Sequence, residues 1–231
     1  MFTLDQVVPW GRSFREYERM FALTGEDLRC RILGCGDGPA AFNAEATRRG
    51  ACVVSCDPLY QFSGEQVRGR IAATRDEILE QTRRNQAAFV WDEIRDVEEL
   101  GRVRMEAMDD FLADYEAGRA QGRYVEAALP DLPFPDGAFD LAVCSHLLFL
   151  YSDQLSGSFH RRAIVELCRV AGEVRIFPLL SLAGIPSPHL PAVQEAAARA
   201  GCATRVETVP YEFQRGANQM MRIERTGSAR R

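Results

Sequence analysis

Short apolar segments alternate with amphipathic segments along most of the chain. The apolar segments predict buried strands, and apolar residues spaced three and four positions apart predict helices. The predicted strands cover residues 30–33, 51–56, 124–127, 139–145, 174–179, 206–209 and 220–223, and the last two are expected to pair antiparallel. One helix is predicted to begin at residue 13, and three others are predicted to cover residues 39–49, 159–170 and 189–200. This alternation predicts an α/β fold with a mostly parallel sheet and helices on both faces.

Residues 63–120 interrupt the alternation because they contain helical signals and no strand. Ser63 with Gln66, and Asp96 with Glu99, have the spacing of residues that cap the start of a helix. Apolar residues follow each pair at helical spacing, and the Asp and Glu residues between Asp76 and Glu116 are expected to form a solvated face. The segment is long for a connection between two parallel strands, and we interpret it as a helical insert.

We hypothesise that this insert is a cap over a binding pocket. It follows the second predicted strand directly, and ligands of open parallel sheets bind at the carboxyl ends of the strands. Phe89, Val90 and Trp91 would then belong to its apolar inner face. The alternatives are an extension of the core and a contact between two copies of the chain. We expect residues 1–231 to form one domain with a disordered tail at 226–231.

Composition excludes several classes of function. The net charge is −5 and no basic stripe is present, which argues against a nucleic-acid partner. No apolar run reaches the length of a membrane span and the first residues do not resemble a signal peptide, so we expect a cytoplasmic protein without a membrane segment. All 28 basic residues are arginine, which excludes a lysine Schiff base and a Walker A lysine. The seven cysteines are an odd number, and we expect free, mostly buried thiols and no metal site.

A glycine-rich turn and a carboxylate mark the candidate binding site. The sequence Gly-Cys-Gly-Asp-Gly at residues 34–38 follows the first predicted strand, and its glycines allow a sharp turn and the close approach of a ligand. Asp57 follows the second predicted strand. A carboxylate at this position can accept hydrogen bonds from both hydroxyls of a ribose. The two features together indicate a ligand that contains adenosine.

A nicotinamide dinucleotide is the competing ligand. Its binding pattern is Gly-x-Gly-x-x-Gly, whereas Gly34, Gly36 and Gly38 give the tighter Gly-x-Gly-x-Gly. The tighter pattern favours a ligand without a pyrophosphate at the start of the helix, such as S-adenosylmethionine.

Two segments resemble the class I S-adenosylmethionine-dependent methyltransferases, in particular their type-11-like branch. Ile-Leu-Gly-Cys-Gly-Asp-Gly at residues 32–38 is similar to the first motif of that family, and Leu-Pro-Phe-Pro-Asp-Gly-Ala-Phe-Asp-Leu at residues 132–141 is similar to the start of its fourth strand. The resemblance extends over residues 28–224, interrupted by the insert. It implies a Rossmann-like, mostly parallel seven-stranded sheet with a reversed last strand, and S-adenosylmethionine as the cofactor.

The resemblance also implies a set of site residues. His146, directly after the fourth strand, is the candidate catalytic base, and a packed histidine is the alternative. Arg12 is expected to clamp the methionine carboxylate of the cofactor, and a solvated arginine is the alternative. The cofactor-binding residues are Arg12, Gly34, Cys35, Gly36, Asp57, Pro58, Leu59, Leu129 and Ser145.

Two positions depart from the family pattern. Ile32 and Ala128 stand where the family often has an acidic residue. Asp37 within the glycine-rich turn would partly replace the first acid, and Glu126 or the backbone near Leu129 would replace the second. These departures concern individual contacts and leave the implied fold unchanged.

These features predict a methyltransferase that acts on a small-molecule nucleophile, which the sequence does not identify. One alternative is a module that binds S-adenosylmethionine or S-adenosylhomocysteine without turnover. A less favoured alternative is a nicotinamide-dependent oxidoreductase. The sequence does not indicate an oligomeric state.

Overall fold

Seven strands form one sheet in the computed structural model, which describes residues 8–226. The strands are β1 (Arg31–Cys35), β2 (Cys52–Cys56), β3 (Tyr124–Val125), β4 (Phe139–Ser145), β5 (Ala171–Phe177), β6 (Cys202–Thr208) and β7 (Gln219–Arg225). Their spatial order is β3-β2-β1-β4-β5-β7-β6. The first five strands pair parallel, while β7 runs antiparallel to both β5 and β6. The predicted mostly parallel sheet with a reversed last strand is therefore confirmed.

The α-helices begin where the sequence places capping side chains. They are α1 (Phe14–Met20), α2 (Phe42–Arg48), α3 (Gly64–Arg84), α4 (Val97–Ala120), α5 (Gly157–Val170) and α6 (Leu190–Arg199). Ser13 caps α1 and Ser63 caps α3, each in a complete capping box. Asp96 caps α4 by accepting a hydrogen bond from the Glu99 backbone. These three starts were predicted because a cap depends only on residues close in sequence.

The predicted start of α2 is wrong. The helix begins at Phe42 and not at Pro39. The backbone N–H of Ala41 donates to the carbonyl of Arg12 at 2.9 Å, so residues 39–41 belong to a loop that is tied to the N-terminal segment. A hydrogen bond between such distant parts of the chain leaves no local sequence signal.

Consecutive strand residues direct their side chains to opposite faces of the sheet, and a core forms on each face. Ile32 packs in a cluster with residues of α1 and α2. Leu33 packs in the cluster on the other face, with residues of α5 and α6. The helices are therefore present on both faces, as predicted. The carboxyl ends of the strands lie between the two cores and are available for a binding site.

The predicted insert consists of two helices with different surroundings. The later helix, α4, contacts α2 and β3, so it belongs to the connection that returns the chain from β2 to the sheet. Its buried Phe111 and Tyr115 pack with Tyr60 and Tyr124 in a third cluster. The earlier helix, α3, packs against α4.

The remaining predictions about the chain have mixed outcomes. Most of the predicted tail lies outside the described residues, but Thr226 is ordered by a hydrogen bond from its N–H to Gly201 O. The cysteines are free, five of them buried, although Cys52 is exposed. Among residues 8–226, none of the helices has both the length and the apolar character that a membrane span requires.

Candidate functional site

A cavity of about 690 Å³ lies at the carboxyl ends of β1, β2 and β4. This volume is within the range of cavities that enclose small ligands, which is roughly 300–1,000 Å³. Every predicted site residue except Gly34 lines the cavity; these are Arg12, Cys35, Gly36, Asp57, Pro58, Leu59, Leu129, Ser145 and His146. The topology therefore brings together residues from five separate parts of the chain.

The glycine-rich turn has no room for larger side chains. Gly36 adopts a φ of +68°, and a Cβ built on it would lie 2.5 Å from Cδ2 of Leu147. Gly34 is not part of the cavity wall, but a Cβ there would lie 1.8 Å from the Asp37 carboxylate. Gly36 therefore allows the backbone to border the cavity, and Gly34 makes space for the carboxyl group of Asp37.

Asp57 holds the turn and the tip of β2 together. One carboxylate oxygen accepts a hydrogen bond from Gly38 N at 2.9 Å, and the other accepts one from Leu59 N at 2.7 Å. Burial raises the pKa of Asp57, while these two backbone bonds oppose the rise. A carboxylate offers about four lone-pair directions, so both oxygens can still accept further hydrogen bonds.

Asp37 is a second buried carboxyl group on the same side of the cavity. It accepts hydrogen bonds from Tyr17 Oη at 2.9 Å and from Ser55 Oγ at 2.6 Å. Burial, followed in importance by the opposing bonds of Ser55 and Tyr17 and by the charge of Asp57, brings the pKa of Asp37 to about 7. The carboxyl group is therefore close to half-protonated at neutral pH, and a cation nearby would favour its charged form.

Two enclosed arginines act on one glutamate in the wall region of the cavity. Arg104, which is 0% exposed, donates from Nη1 to Glu16 at 2.5 Å. Arg12 donates from Nη1 to the carbonyl of Trp10 at 2.6 Å. Burial and the charge of Arg104 lower the pKa of Arg12. Tyr211 Oη also donates to Glu16, at 2.8 Å, and the carboxylate has a pKa of about 2 because the two arginines overcome the effect of its burial.

The arginine pair was only half predicted. Arg12 was expected in the site, whereas Arg104 lies in the charged insert and was not singled out. Its contact with Glu16 of α1 buries it. The periodicity of α4 carries one usable signal: Arg104 lies one turn before Met108 and four residues after Leu100, on the apolar face.

His146 is at the floor of the cavity, directly after β4. Its Nδ1 lies 2.8 Å from Ser145 Oγ, and its backbone N–H donates to Phe177 O at 2.7 Å. The residue adopts a φ of +51°, in a region that side chains other than glycine rarely occupy. Burial, with smaller contributions from the charges of Arg12 and Arg104, lowers the pKa of His146 well below its ordinary value. The imidazole is therefore neutral at physiological pH.

The remaining walls are mainly apolar. Leu129 and Leu59 border the cavity on the side of Asp57. The insert contributes residues of α3, α4 and the segment between them; these are Arg70, Ala73, Thr74, Ile78, Thr82, Ala88, Phe89, Leu100 and Arg104. Of the three residues expected on its inner face, Phe89 lines the cavity, whereas Val90 and Trp91 pack against the Phe213 segment outside the wall.

No metal centre is evident in the part of the chain that the structure describes. Within it, no three His, Cys, Asp or Glu side chains are grouped so that they could hold an ion. The charged and titratable groups of the cavity wall include its carboxylates, its two arginines and His146.

No protein-family model matches the chain. The chain is 32% identical over 224 residues to "Uncharacterized protein MJ0045" of Methanocaldococcus jannaschii, and the match covers 96% of this chain and 98% of the relative.

The solved structures with a similar fold include methyltransferases. The PH0226 protein of Pyrococcus horikoshii OT3 is 10% identical, with a TM-score of 0.45 over 85% of this chain and 82% of that one. Magnesium protoporphyrin IX methyltransferase of Synechocystis PCC 6803, with bound S-adenosylmethionine, is 11% identical, with a TM-score of 0.44 over 85% and 70%. A TehB-like S-adenosylmethionine-dependent methyltransferase of Corynebacterium glutamicum is 16% identical, with a TM-score of 0.43 over 85% and 80%.

The family assignment rests on the sequence match, and the fold assignment rests on the sheet. The seven-stranded sheet with an antiparallel last strand is the one that the resemblance implied. The chain belongs to the same family as the Methanocaldococcus jannaschii protein MJ0045, and it has the fold of the class I S-adenosylmethionine-dependent methyltransferases.

Proposed function

We propose that the protein binds S-adenosylmethionine and transfers its methyl group to a small molecule. The observation that carries this proposal is the convergence of the Gly36 turn, Asp57 and Arg12 on one cavity at the carboxyl ends of the strands. S-adenosylmethionine consists of a ribose, a short charged amino-acid group and an adenine. To bind them, a close backbone turn, a carboxylate and a guanidinium have to lie next to each other. The remaining part of the cavity would hold the methyl acceptor.

The side chains fit the parts of the cofactor. Asp57 has lone pairs left for the two ribose hydroxyls, while Leu59 and Leu129 offer apolar surface to the adenine. Arg12 has an enclosed Nε–H without a hydrogen-bond partner, and a carboxylate would satisfy it. Asp37 supplies negative charge on the side of the cavity where the positive groups of the cofactor would lie.

The same geometry disfavours a dinucleotide. A pyrophosphate at this position needs free backbone N–H groups at the start of the helix. The Gly38 N–H in the glycine-rich turn instead donates to Asp57, so it is not free for a phosphate. This agrees with the preference inferred from the glycine spacing.

Hydrogen-bond directions indicate which nitrogen of His146 carries the proton. Tyr17 donates its hydroxyl proton to Asp37, so the phenol oxygen is left to accept. Burial and Asp37 raise the pKa of Tyr17 well above its ordinary value, and a hydrogen bond with Ser145 opposes the rise. With Ser145 as the donor to this phenol, the Ser145 oxygen accepts from Nδ1–H of His146. This leaves Nε2 unprotonated and able to take a proton from an acceptor.

The same chain of hydrogen bonds would move that proton away from the arginines. A proton taken up at Nε2 is matched by transfer of the Nδ1 proton to Ser145, of the Ser145 proton to Tyr17, and of the Tyr17 proton to the Asp37 carboxylate. His146 then ends neutral, and the positive charge does not accumulate beside Arg12 and Arg104. Asp37, with a pKa of about 7, is a suitable final proton acceptor.

The bound cofactor would supply an electrophilic methyl group. The protein would orient the acceptor, remove its proton where that is needed, and exclude water with the apolar residues of α3 and α4. The insert is thus proposed to act as the cap over the acceptor.

Calorimetric titration tests the proposed function. We expect S-adenosylhomocysteine to bind to the purified protein with a dissociation constant in the micromolar range and NAD not to bind. Incubation with methyl-labelled S-adenosylmethionine and a cell extract, followed by chromatography, should transfer label to a small molecule. Binding without transfer to any extract would support a non-catalytic module, and binding of NAD alone would contradict the proposal.

Nitrogen NMR of the imidazole tests the proposed base. We expect His146 to be neutral at pH 6 and to carry its proton on Nδ1. In Tyr17→Phe the Ser145 hydroxyl loses its acceptor and can donate to Nδ1, so the proton should move to Nε2. Tyr151→Phe, which changes another tyrosine of the cavity wall, serves as the control and should leave the tautomer unchanged. A wild-type His146 protonated on Nε2 would rule out the proposed proton path.

A further inference from the structure

Arg104 presents an unused hydrogen-bonding edge inside the protein. Its Nη1 is paired with Glu16 and, although burial opposes the rise, the Tyr211 side chain interacts with the same guanidinium and helps to raise the pKa of Arg104. By hydrogen-bond geometry, Nε and Nη2 have no partner within the described residues. The side chain is 0% exposed and belongs to the cavity wall. Buried polar groups are rarely left unsatisfied, so this edge indicates a missing partner.

The shape of the free edge restricts that partner. The Nε–H and Nη2–H of a guanidinium are parallel, and together they match the two oxygens of a carboxylate. A neutral carbonyl offers the two groups a single oxygen and no charge. The edge therefore favours a carboxylate over a ketone, an amide or an alcohol.

The proposed cofactor position uses only one of the two arginines. S-adenosylmethionine has a single carboxylate, and the cavity contains the enclosed N–H groups of both Arg12 and Arg104. Arg12 lies next to the turn, because its carbonyl is bonded to Ala41 just before α2. Arg104 lies on α4 and faces Phe213, whose ring centre is 5.9 Å from the guanidinium carbon. One arginine is thus near the proposed cofactor and the other is near the part left for the acceptor.

We propose that the methyl acceptor is a small carboxylic acid and that Arg104 holds its carboxylate. This inference rests on the proposed function, which places the cofactor at Arg12. Arg104 and His146 line the same cavity, so an acid held by Arg104 would share that space with the proposed base.

The charges around Arg104 favour a carboxylate over a phosphate. The Glu16 carboxylate is bonded to the same guanidinium at 2.5 Å and keeps its negative charge, since its pKa is about 2. A second anion must approach the edge against this charge, and the repulsion is smaller for a singly charged group than for a doubly charged one.

The body of the acid is expected to be apolar. Many of the other side chains that line the cavity are aliphatic or aromatic. These are Ile78, Phe89, Leu100, Leu155, Phe159, Leu182 and Phe213. Such a wall binds a hydrocarbon or aromatic ring and offers few partners to a sugar or a nucleotide.

Matched pairs of probes test the inference. Acetate, benzoate and 2-naphthoate, each with its primary amide, are titrated into the wild-type protein with and without S-adenosylhomocysteine. We expect at least one acid to bind about tenfold more tightly than its amide, since the amide loses the charge-assisted pair of hydrogen bonds. In Arg104→Lys, which keeps a positive charge beside Glu16 but loses the planar edge, this preference should disappear while S-adenosylhomocysteine binds as before.

The controls separate this inference from the proposed function. Arg102→Lys changes an exposed arginine of the same helix and should alter neither measurement. Acids that bind no better than their amides would overturn the inference, even if S-adenosylhomocysteine binds. Arg104→Lys that loses S-adenosylhomocysteine would overturn it as well, because Arg104 would then hold the cofactor. If S-adenosylhomocysteine does not bind to the wild type, the proposed function fails, and the titrations without it still decide whether Arg104 selects a carboxylate.

Discussion

Replacement of Asp57 by alanine is expected to weaken the binding of S-adenosylhomocysteine by about 2–4 kcal/mol, which is roughly 30- to 1,000-fold. The proposed hydrogen bonds to the ribose hydroxyls are lost in this variant. In the wild type, the Asp57 carboxylate also joins Gly38 to Leu59. In the variant, the turn and the tip of β2 lose this link, which keeps them in position before the ligand arrives. Calorimetric titration of the purified variant measures the effect.

Two further variants test whether the loss of affinity is specific to the Asp57 carboxylate. Asp57→Asn keeps one oxygen acceptor and should lose less affinity than alanine. Asp140→Ala removes an aspartate at the opposite end of the sheet, where it pairs with Arg31, and should leave the affinity unchanged. If folded Asp57→Ala binds S-adenosylhomocysteine like the wild type, Asp57 is not part of the cofactor site.

The part of the fold that could be predicted depends on local signals. Ser13 and Ser63 are followed three residues later by Glu16 and Gln66, and both helices begin there because each cap satisfies backbone N–H groups within one turn. The strand at Phe139–Ser145 was predicted with its observed limits, since a buried central strand is a continuous apolar run. Such features need no knowledge of distant residues.

The part of the site that was missed depends on distant contacts. Glu16 was recognised as a capping residue, but its carboxylate also accepts hydrogen bonds from Arg104 and Tyr211, which are 88 and 195 residues away. An arginine in a charged helix is solvated in most proteins, and only the tertiary packing distinguishes Arg104 from its neighbours. The glycine turn and Asp57 could be assigned to the candidate site because strand ends carry recognisable residues; the proposed acceptor side has no such marker.

The first helix connects the two halves of the proposed site. Tyr17 donates to Asp37 on the side of the glycine turn, and Glu16, the preceding residue, pairs with Arg104 on the acceptor side. Adjacent residues of a helix point about 100° apart, so one short helix can reach both sides of the cavity. A change in α1 should therefore affect the cofactor and the acceptor together.

The largest effect on stability is expected for Glu16→Gln, which should lower the free energy of unfolding by about 3–5 kcal/mol at neutral pH. The variant leaves Arg104 and Arg12 without their shared carboxylate in an enclosed place. Urea unfolding followed by circular dichroism measures the loss. Ser13→Ala, which disrupts the capping box but keeps Glu16, should cost only about 1 kcal/mol.

The effect of Glu16→Gln should also depend on pH in a defined direction. The pKa of Glu16 is about 2 in the folded protein and 4.5 in its ordinary state, so its contribution is fully present above pH 4.5 and is lost as the pH falls toward 2. Urea titrations at about pH 6 and about pH 3 should therefore show a smaller advantage of the wild type over the variant at the lower pH. The double variant Glu16→Gln/Arg104→Met, which removes the uncompensated charge of Arg104, should recover part of the stability that Glu16→Gln loses. A loss below about 1 kcal/mol for Glu16→Gln, or a difference from the wild type that stays constant with pH, would show that the buried arginines do not need this carboxylate.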